Sequence, residues 1–159
     1  HVHHNHIHHN QRQGLGYGIS HGAAFSLIEY NLFDWNRHSI AGSGALPSGY
    51  IARHNLEMGH SLSHNFDMHG GRDRADGTDI AGDRISIHHN TFLGTDVRAV
   101  VIRGVPRDGV SVDYNWFAHE RPGEKMIGPW PLTPESRITL ENNAYGLKNP
   151  AVLDRKNAK

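Results

Sequence analysis

An asparagine recurs through this chain at a nearly constant interval and in a constant local setting. It lies in six segments that align with one another: "HVHHNHI", "SLIEYNLF", "YIARHNLEM", "RISIHHNTF", "VSVDYNWF" and "ITLENNAY". Successive asparagines are 26, 24, 35, 25 and 28 residues apart, and their positions are Asn5, Asn31, Asn55, Asn90, Asn115 and Asn143. A repeat of roughly 25 residues with one insertion is typical of solenoid proteins, in which each unit contacts only its neighbours.

The residues around each asparagine alternate between apolar and polar. Three residues before it stand Val2, Ile28, Ala52, Ile87, Val112 and Leu140. Two residues after it stand Ile7, Phe33, Phe92, Phe117 and Tyr145, with Glu57 as the single exception. A period of two predicts strands with one buried face. Asparagine amides donate and accept, so they can bond one another at stacked corners. The sequence therefore predicts an all-β fold, a β-solenoid of about six rungs with an asparagine ladder.

The rungs "ISIHHNTF" and "VSVDYNWF" resemble those of the right-handed parallel β-helix superfamily, the architecture of the pectate lyases. The resemblance covers residues 2–146 and implies a parallel β-helix domain over 1–146, followed by a polar tail or cap over 147–159. It implies an extracellular or cell-surface protein that binds or cleaves a polysaccharide, with a lyase of uronic-acid polymers as the leading hypothesis. The superfamily also includes hydrolases, epimerases and proteins without known activity. A non-enzymatic adhesion or surface-scaffold module is therefore the alternative.

The amino-acid composition limits which partners and which chemistry the protein can have. The 16 basic residues balance 16 acidic ones, which gives no bulk reason to expect nucleic acid or an anionic membrane as a partner. No apolar run reaches the length of about 18 residues that a membrane-spanning helix needs. The absence of cysteine excludes a disulfide scaffold and thiolate chemistry. The chain begins inside a rung, so we expect self-association or a further domain to cover that first edge.

Polar residues form a row two positions before the asparagines. The row contains His3, Glu29, Arg53, His88, Asp113 and Glu141. Under the lyase hypothesis Arg53 binds the substrate carboxylate, His88 abstracts a proton, and Asp113 orients the imidazole or shares a cation. The alternative is that complementary charges simply pair across neighbouring strands. The position after this row holds mostly aromatic or imidazole rings, and we expect these to stack for packing.

The longest interval between asparagines contains "HSLSHNFDMHGGRDRADGTDIAGDR". On a strand Asp67 and His69 share a face there, and the corresponding place in the next unit is close to Arg103. If the lyase site lies here, we expect Arg103 to bind the substrate carboxylate, His69 to abstract the proton, and Asp67 to orient the imidazole or share a cation. If the protein instead hydrolyses glycosides, Asp67 and Asp113 are the first pair of carboxylates to test. The alternative interpretation is that this segment is a solvated loop without a functional role.

Three further features suggest ligands. Asp73, Asp76 and Asp79 offer oxygen ligands for calcium, although their order does not match an EF-hand loop or a calcium β-roll. Trp116 directly follows its asparagine, where an indole can stack on a sugar ring. The histidine-rich first rung indicates ordinary surface positions, or alternatively a transition-metal site formed by His1, His3, His6 and His8.

Overall fold

The computed structural model describes residues 1–146 and 152–153, and in this part the chain makes five successive turns of three short strands and a sixth turn of two. The first turn contains β1 (Val2–His3), β2 (His6–Asn10) and β3 (Tyr17–His21), and the second β4 (Phe25–Glu29), β5 (Leu32–Asn36) and β6 (His38–Gly42). The third contains β7 (Gly49–Arg53), β8 (Leu56–Glu57) and β9 (Phe66–Met68), and the fourth β10 (Arg84–His88), β11 (Thr91–Phe92) and β12 (Val100–Ile102). The fifth contains β13 (Gly109–Asp113), β14 (Trp116–Phe117) and β15 (Ile127–Gly128), and the sixth β16 (Ile138–Glu141) and β17 (Ala144–Tyr145).

These strands stack into three parallel sheets. The first sheet has the order β1-β4-β7-β10-β13-β16, the second β2-β5-β8-β11-β14-β17, and the third β3-β6-β9-β12-β15. One further strand, β18 (Val152–Leu153), pairs antiparallel with β17. The rest of the predicted tail or cap over 147–159 lies outside the described residues. This topology confirms the parallel β-solenoid.

Helix is almost absent from the described residues. A four-residue α-helix, α1 (Gly71–Arg74), lies in the insertion of the third turn, and a 3₁₀-helix spans Pro134–Ser136. Neither these nor any other helix in the described part of the chain is long and apolar enough to cross a membrane.

The core is formed by the two apolar positions that the repeat predicts. Ile28, Ala52, Ile87 and Val112, three residues before their asparagines, are fully buried and lie side by side in the first sheet. In the second sheet the rings of Phe92 and Phe117 stack with their centroids 4.9 Å apart, and those of Phe117 and Tyr145 stack at 5.8 Å. The alternation therefore identifies the buried face correctly in both sheets.

The six asparagines form the predicted ladder. In each of the first five, the side-chain Nδ2 donates to the Oδ1 of the next asparagine at 2.9–3.1 Å. The backbone N–H of each donates to the same oxygen at 2.8–3.1 Å. Asn10 and Asn36 add a shorter ladder, with Nδ2 and Oδ1 2.9 Å apart. The amides thus satisfy backbone groups at corners where strand pairing stops.

The residue before each ladder asparagine has a left-handed backbone, with φ between 53° and 56°. These residues are His4, Tyr30, His54, His89, Tyr114 and Asn142. The conformation turns the chain from the first sheet into the second and directs the rings outward. Neighbouring rings lie 4.9–5.4 Å apart from His4 to Tyr114, which confirms the predicted ring stack.

Candidate functional site

The polar row predicted on the first sheet is present. Strand register places its members side by side in the order His3, Glu29, Arg53, His88, Asp113 and Glu141. Arg53 Nε lies 2.6 Å from Glu29 Oε2, and Glu29 Oε1 also contacts His1 Nε2 at 2.8 Å. The guanidinium proposed to hold a substrate carboxylate therefore already has a carboxylate partner.

His88 in this row lies against another imidazole. Its Nδ1 is 2.9 Å from the Nδ1 of His89. Burial lowers the pKa of His88, and the neighbouring His89 lowers it further. His88 is therefore neutral near pH 7. Its Nδ1 contacts the imidazole of His89, whereas a general base is usually oriented by a carboxylate.

The second predicted location is a cluster around Asp67 on β9. The carboxylate is fully buried, with Oδ2 3.0 Å from His69 Nε2 and 3.2 Å from His64 Nε2. Arg103 NH1 lies 3.3 Å from His69 Nε2 and 4.0 Å from Asp67 Oδ2. The structure therefore brings together Asp67, His69 and Arg103, the three residues predicted for this location.

The insertion of the third turn adds a second carboxylate to this cluster. Directly after His69 the chain enters α1, whose Asp73 accepts a hydrogen bond from the backbone N–H of Gly70 at 3.2 Å. The same carboxylate lies 3.2 Å from Arg103 NH2 and 3.9 Å from His69 Nδ1. His69 is therefore held between two carboxylates, one at each ring nitrogen.

The charge state of Asp67 follows from its partners. Burial by itself raises the pKa of a carboxyl group, but here the close imidazoles of His64 and His69 outweigh it and hold the pKa of Asp67 well below its usual range. Asp67 Oδ2 at 3.0 Å can accept a proton from His69 Nε2, whereas Arg103 NH1 at 3.3 Å could only donate to that nitrogen. We assign the Nε2 proton to the contact with ionised Asp67, so Arg103 NH1 lies beside this nitrogen without a hydrogen bond to it and the Nδ1 lone pair is left to accept a proton. The His69 and Arg103 side chains are 24% and 35% exposed, so both are accessible from solvent.

His38 belongs to this cluster and was missed by the sequence analysis. Its ring is fully buried and stacks on His64 at a centroid distance of 4.0 Å. Its Nδ1–H donates to the backbone carbonyl of His64 at 2.6 Å, while Nε2 has no hydrogen-bond partner in the described structure. Burial lowers the pKa of His38 to about 4, so the ring is neutral. A buried polar group without a partner costs about 1–3 kcal/mol, which calls for an explanation.

One signal in the sequence points to His38. It precedes His64 by 26 residues, which matches the interval between Asn5 and Asn31. The two histidines stand 7 and 9 residues after their own asparagines, however, so alignment on the asparagines separates them. The corner between the second and third sheets differs in length between these turns, and this difference conceals the stack.

Each carboxylate predicted for calcium lies near an arginine. The pairs are Asp73 with Arg103 at 3.2 Å, Asp76 with Arg74 at 2.8 Å, and Asp79 with Arg72 at 3.4 Å. Hydrogen bonds from Thr78 also lower the pKa of Asp76. A calcium ion would have to compete with these guanidinium groups, and the calcium site stays a prediction.

The remaining predicted residues lie apart from the cluster. Trp116 is half-buried and its Nε1–H donates to the carbonyl of Gly146 at 3.1 Å. In the first turn the His1 and His3 rings lie 4.3 Å apart. Asp113 is on the first sheet and Asp67 on the third, so the structure does not place the two carboxylates suggested for glycoside hydrolysis on one sheet.

A scan against protein-family models finds no match, and searches of curated proteins and of solved structures find no significant similarity.

Proposed function

We propose that the protein binds an acidic polysaccharide at the third-sheet cluster and cleaves it by β-elimination. The observation that carries the proposal is the contact of His69 with Arg103 above the buried, ionised Asp67. The resemblance of the rungs to those of pectate-lyase-like β-helices supplies the substrate class. Such a substrate implies an extracellular or cell-surface location.

β-Elimination from a uronate has three requirements. The substrate carboxylate must be neutralised, the proton on the adjacent carbon C5 removed, and the resulting anion stabilised. Arg103 pairs with the substrate carboxylate in place of Asp73. The Nδ1 of His69 takes the C5 proton, the C5–H electron pair forms the C4–C5 double bond, and the C4–O bond breaks. The leaving oxygen then takes a proton from His69 or water.

The cluster suits this reaction better than the first-sheet row does. A general base needs a partner that fixes its tautomer and stabilises its protonated form. His69 has Asp67 at 3.0 Å for the first purpose and Asp73 at 3.9 Å for the second. His88 has only another imidazole, His89, at hydrogen-bond distance among the contacts described above.

A polysaccharide-binding module without catalysis is the second candidate. The outward ring stack favours it, because Tyr30 and Tyr114 remain 49% and 55% exposed within a regular row of rings. Because the ring faces stack on neighbouring rings, the exposed parts are ring edges and tyrosine hydroxyl groups at a fixed spacing, and these hydroxyls can hydrogen-bond to successive sugars. In this case the solenoid presents a surface for adhesion, and the polar rows only stabilise the sheets.

The test is incubation with pectate, alginate, other acidic polysaccharides and neutral glucans, with and without calcium. We expect reducing ends together with the ultraviolet absorbance of unsaturated uronates on an acidic polymer. His69→Gln should lower kcat/KM by about 10²–10⁴-fold, the usual contribution of a general base, and Arg103→Gln should lower it as well. The matched controls on the first sheet, His88→Gln and Arg53→Gln, should keep the activity.

Other results would overturn the elimination proposal. Reducing ends without absorbance would mean hydrolysis. Loss of activity in His88→Gln but not in His69→Gln would move the site to the first sheet. No product from any polymer, together with retention on an immobilised polysaccharide that Tyr114→Ala abolishes, would establish the binding module instead.

A further inference from the structure

We propose that His38, His64 and Asp67 form a binding site for a divalent transition-metal ion. One ring nitrogen from each histidine and one carboxylate oxygen lie within 4.8 Å of one another. In the part of the chain that the structure describes, this is the one group of three or more such side chains with that spacing. The proposal stands whether or not the protein cleaves a polysaccharide.

The unpartnered nitrogen of His38 is the main evidence. Its ring is fully buried and neutral, and its Nε2 lone pair has no hydrogen-bond partner among the described residues. A neutral imidazole nitrogen beside an ionised carboxylate is the form in which both groups bind metal ions. The free lone pair that is costly in the unliganded protein becomes a ligand when an ion is bound.

The residues around His38 and Asp67 fix the orientation of these side chains, as neighbouring residues do in known metal sites. A metal-binding histidine almost always donates its other ring N–H to a carbonyl or carboxylate. His38 does so through Nδ1, which donates to the carbonyl of His64 at 2.6 Å. Its ring plane is fixed between Tyr17, at a centroid distance of 5.5 Å, and His64, at 4.0 Å. Asp67 in turn contacts His69 at 3.0 Å.

The ligand set selects the class of ion. Two imidazoles and one carboxylate suit Zn²⁺ and similar first-row ions such as Fe²⁺ and Co²⁺, whereas calcium prefers oxygen ligands alone. Ligands of a tetrahedral zinc ion with bonds of about 2.1 Å are separated by about 3.4 Å. The three ligand atoms lie within 4.8 Å of one another, so they need to approach by up to about 1.4 Å. Three protein ligands leave one position for water or a substrate oxygen. His64 is 16% exposed, so that position has access to solvent.

The test is calorimetric titration of the metal-stripped protein with Zn²⁺, together with the visible absorption of added Co²⁺. We expect one tight site. His38→Gln and Asp67→Asn should each raise the Kd for Zn²⁺ by at least about 10- to 100-fold, since loss of a group that merely supports a ligand has that effect. They should also change the Co²⁺ spectrum.

Two control variants test alternative binding sites. His60→Gln removes an exposed histidine that lies 2.8 Å from Asp34, a histidine–aspartate pair outside the cluster, and should leave the Kd unchanged. The double variant His3→Gln, His8→Gln removes histidines of the first turn and should also retain the tight site. If His38→Gln does not fold by circular dichroism, His64→Gln replaces it, because its side chain is partly exposed.

The proposal is overturned if the wild-type protein binds Zn²⁺ no more tightly than the urea-unfolded chain does. It is also overturned if the first-turn double variant loses the tight site while the His38, His64 and Asp67 variants keep it.

Discussion

Glu57 is the residue at which the repeat departs from its own pattern. It occupies the position that is apolar or aromatic in the other turns, between Phe33 and Phe92 in the second sheet. The side chain is fully buried, and burial raises its pKa to about 8 although hydrogen bonds from Ser39 and Ser61 act in the opposite direction. At neutral pH the folded protein therefore holds a proton that the unfolded chain releases.

The protonation of Glu57 makes stability depend on pH. Between about pH 4.5, its unfolded pKa, and pH 8, its folded pKa, the native state binds the extra proton, so the free energy of unfolding falls as pH rises. The loss is up to about 1.4 kcal/mol per pH unit. We expect Glu57→Gln to be more stable than the wild type at pH 8, by several kcal/mol, with the difference vanishing near pH 4.5. Urea unfolding at both pH values measures it.

The control for Glu57 is an exposed glutamate. Glu120 is exposed, so Glu120→Gln should follow the wild type at both pH values. An equal stability difference between Glu57→Gln and the wild type at pH 5 and pH 8 would contradict the raised pKa.

Some of these residues could be predicted from the sequence, but their surroundings could not. Glu57 is an exception to the apolar pattern in the sequence. The pattern alone does not show whether this glutamate is buried or whether the strand is turned so that the side chain points to solvent. His69 and Arg103 were grouped correctly because each directly follows one of the paired strands β9 and β12. His38 was not, because its contact with His64 depends on the length of a corner, which is set by three-dimensional packing.

The asparagine corner is the element that repeats most regularly, and Asn90 lies in the middle of it. Its Nδ2 donates to the carbonyl of Ala52 at 2.8 Å and to Asn115 Oδ1 at 3.0 Å. Its Oδ1 accepts from the backbone N–H and the Nδ2 of Asn55 at 3.0 and 2.9 Å. One side chain thus satisfies buried groups in both neighbouring turns.

Removing this amide leaves several buried polar groups without partners. Each such group costs about 1–3 kcal/mol, so Asn90→Ala should lower the free energy of unfolding by at least ~3 kcal/mol. Asn5→Ala is the matched control, because Asn5 is exposed and should lose less than ~1 kcal/mol. Urea denaturation of both variants measures the difference. Equal losses would show that the ladder does not stabilise the solenoid through its buried members.

Strands and corners could be predicted from the sequence where a single repeated pattern determines them. The alternation identified the strands, and the asparagines identified the corners, because each signal recurs with every turn. The helix α1 was not predicted, since four residues carry no helical period. It depends instead on its N-terminal cap, in which Asp73 accepts from the backbone N–H of Gly70, and on a contact with another turn, in which Arg74 NH1 donates to the carbonyl of Ser43 at 2.7 Å.

At the scale of the whole molecule, parallel stacking makes stability uneven along the solenoid. The strand β10 pairs with β7 on one side and β13 on the other, and contributes fully buried Ile85 and Ile87. The strand β1 pairs only with β4 among the described strands, and its residues are partly or fully exposed. Since each turn is stabilised mainly by its neighbours, opening should start where neighbours are fewest.

Hydrogen exchange followed by mass spectrometry tests this gradient. We expect the backbone amides of β7, β10 and β13 to exchange most slowly and those of β1 and β2 most rapidly, because the central strands open only when bonds to two neighbouring turns are lost. Exchange at one common rate in all turns would contradict local opening. It would mean that the asparagine ladder and the ring stack couple the turns so strongly that the solenoid opens as a single unit.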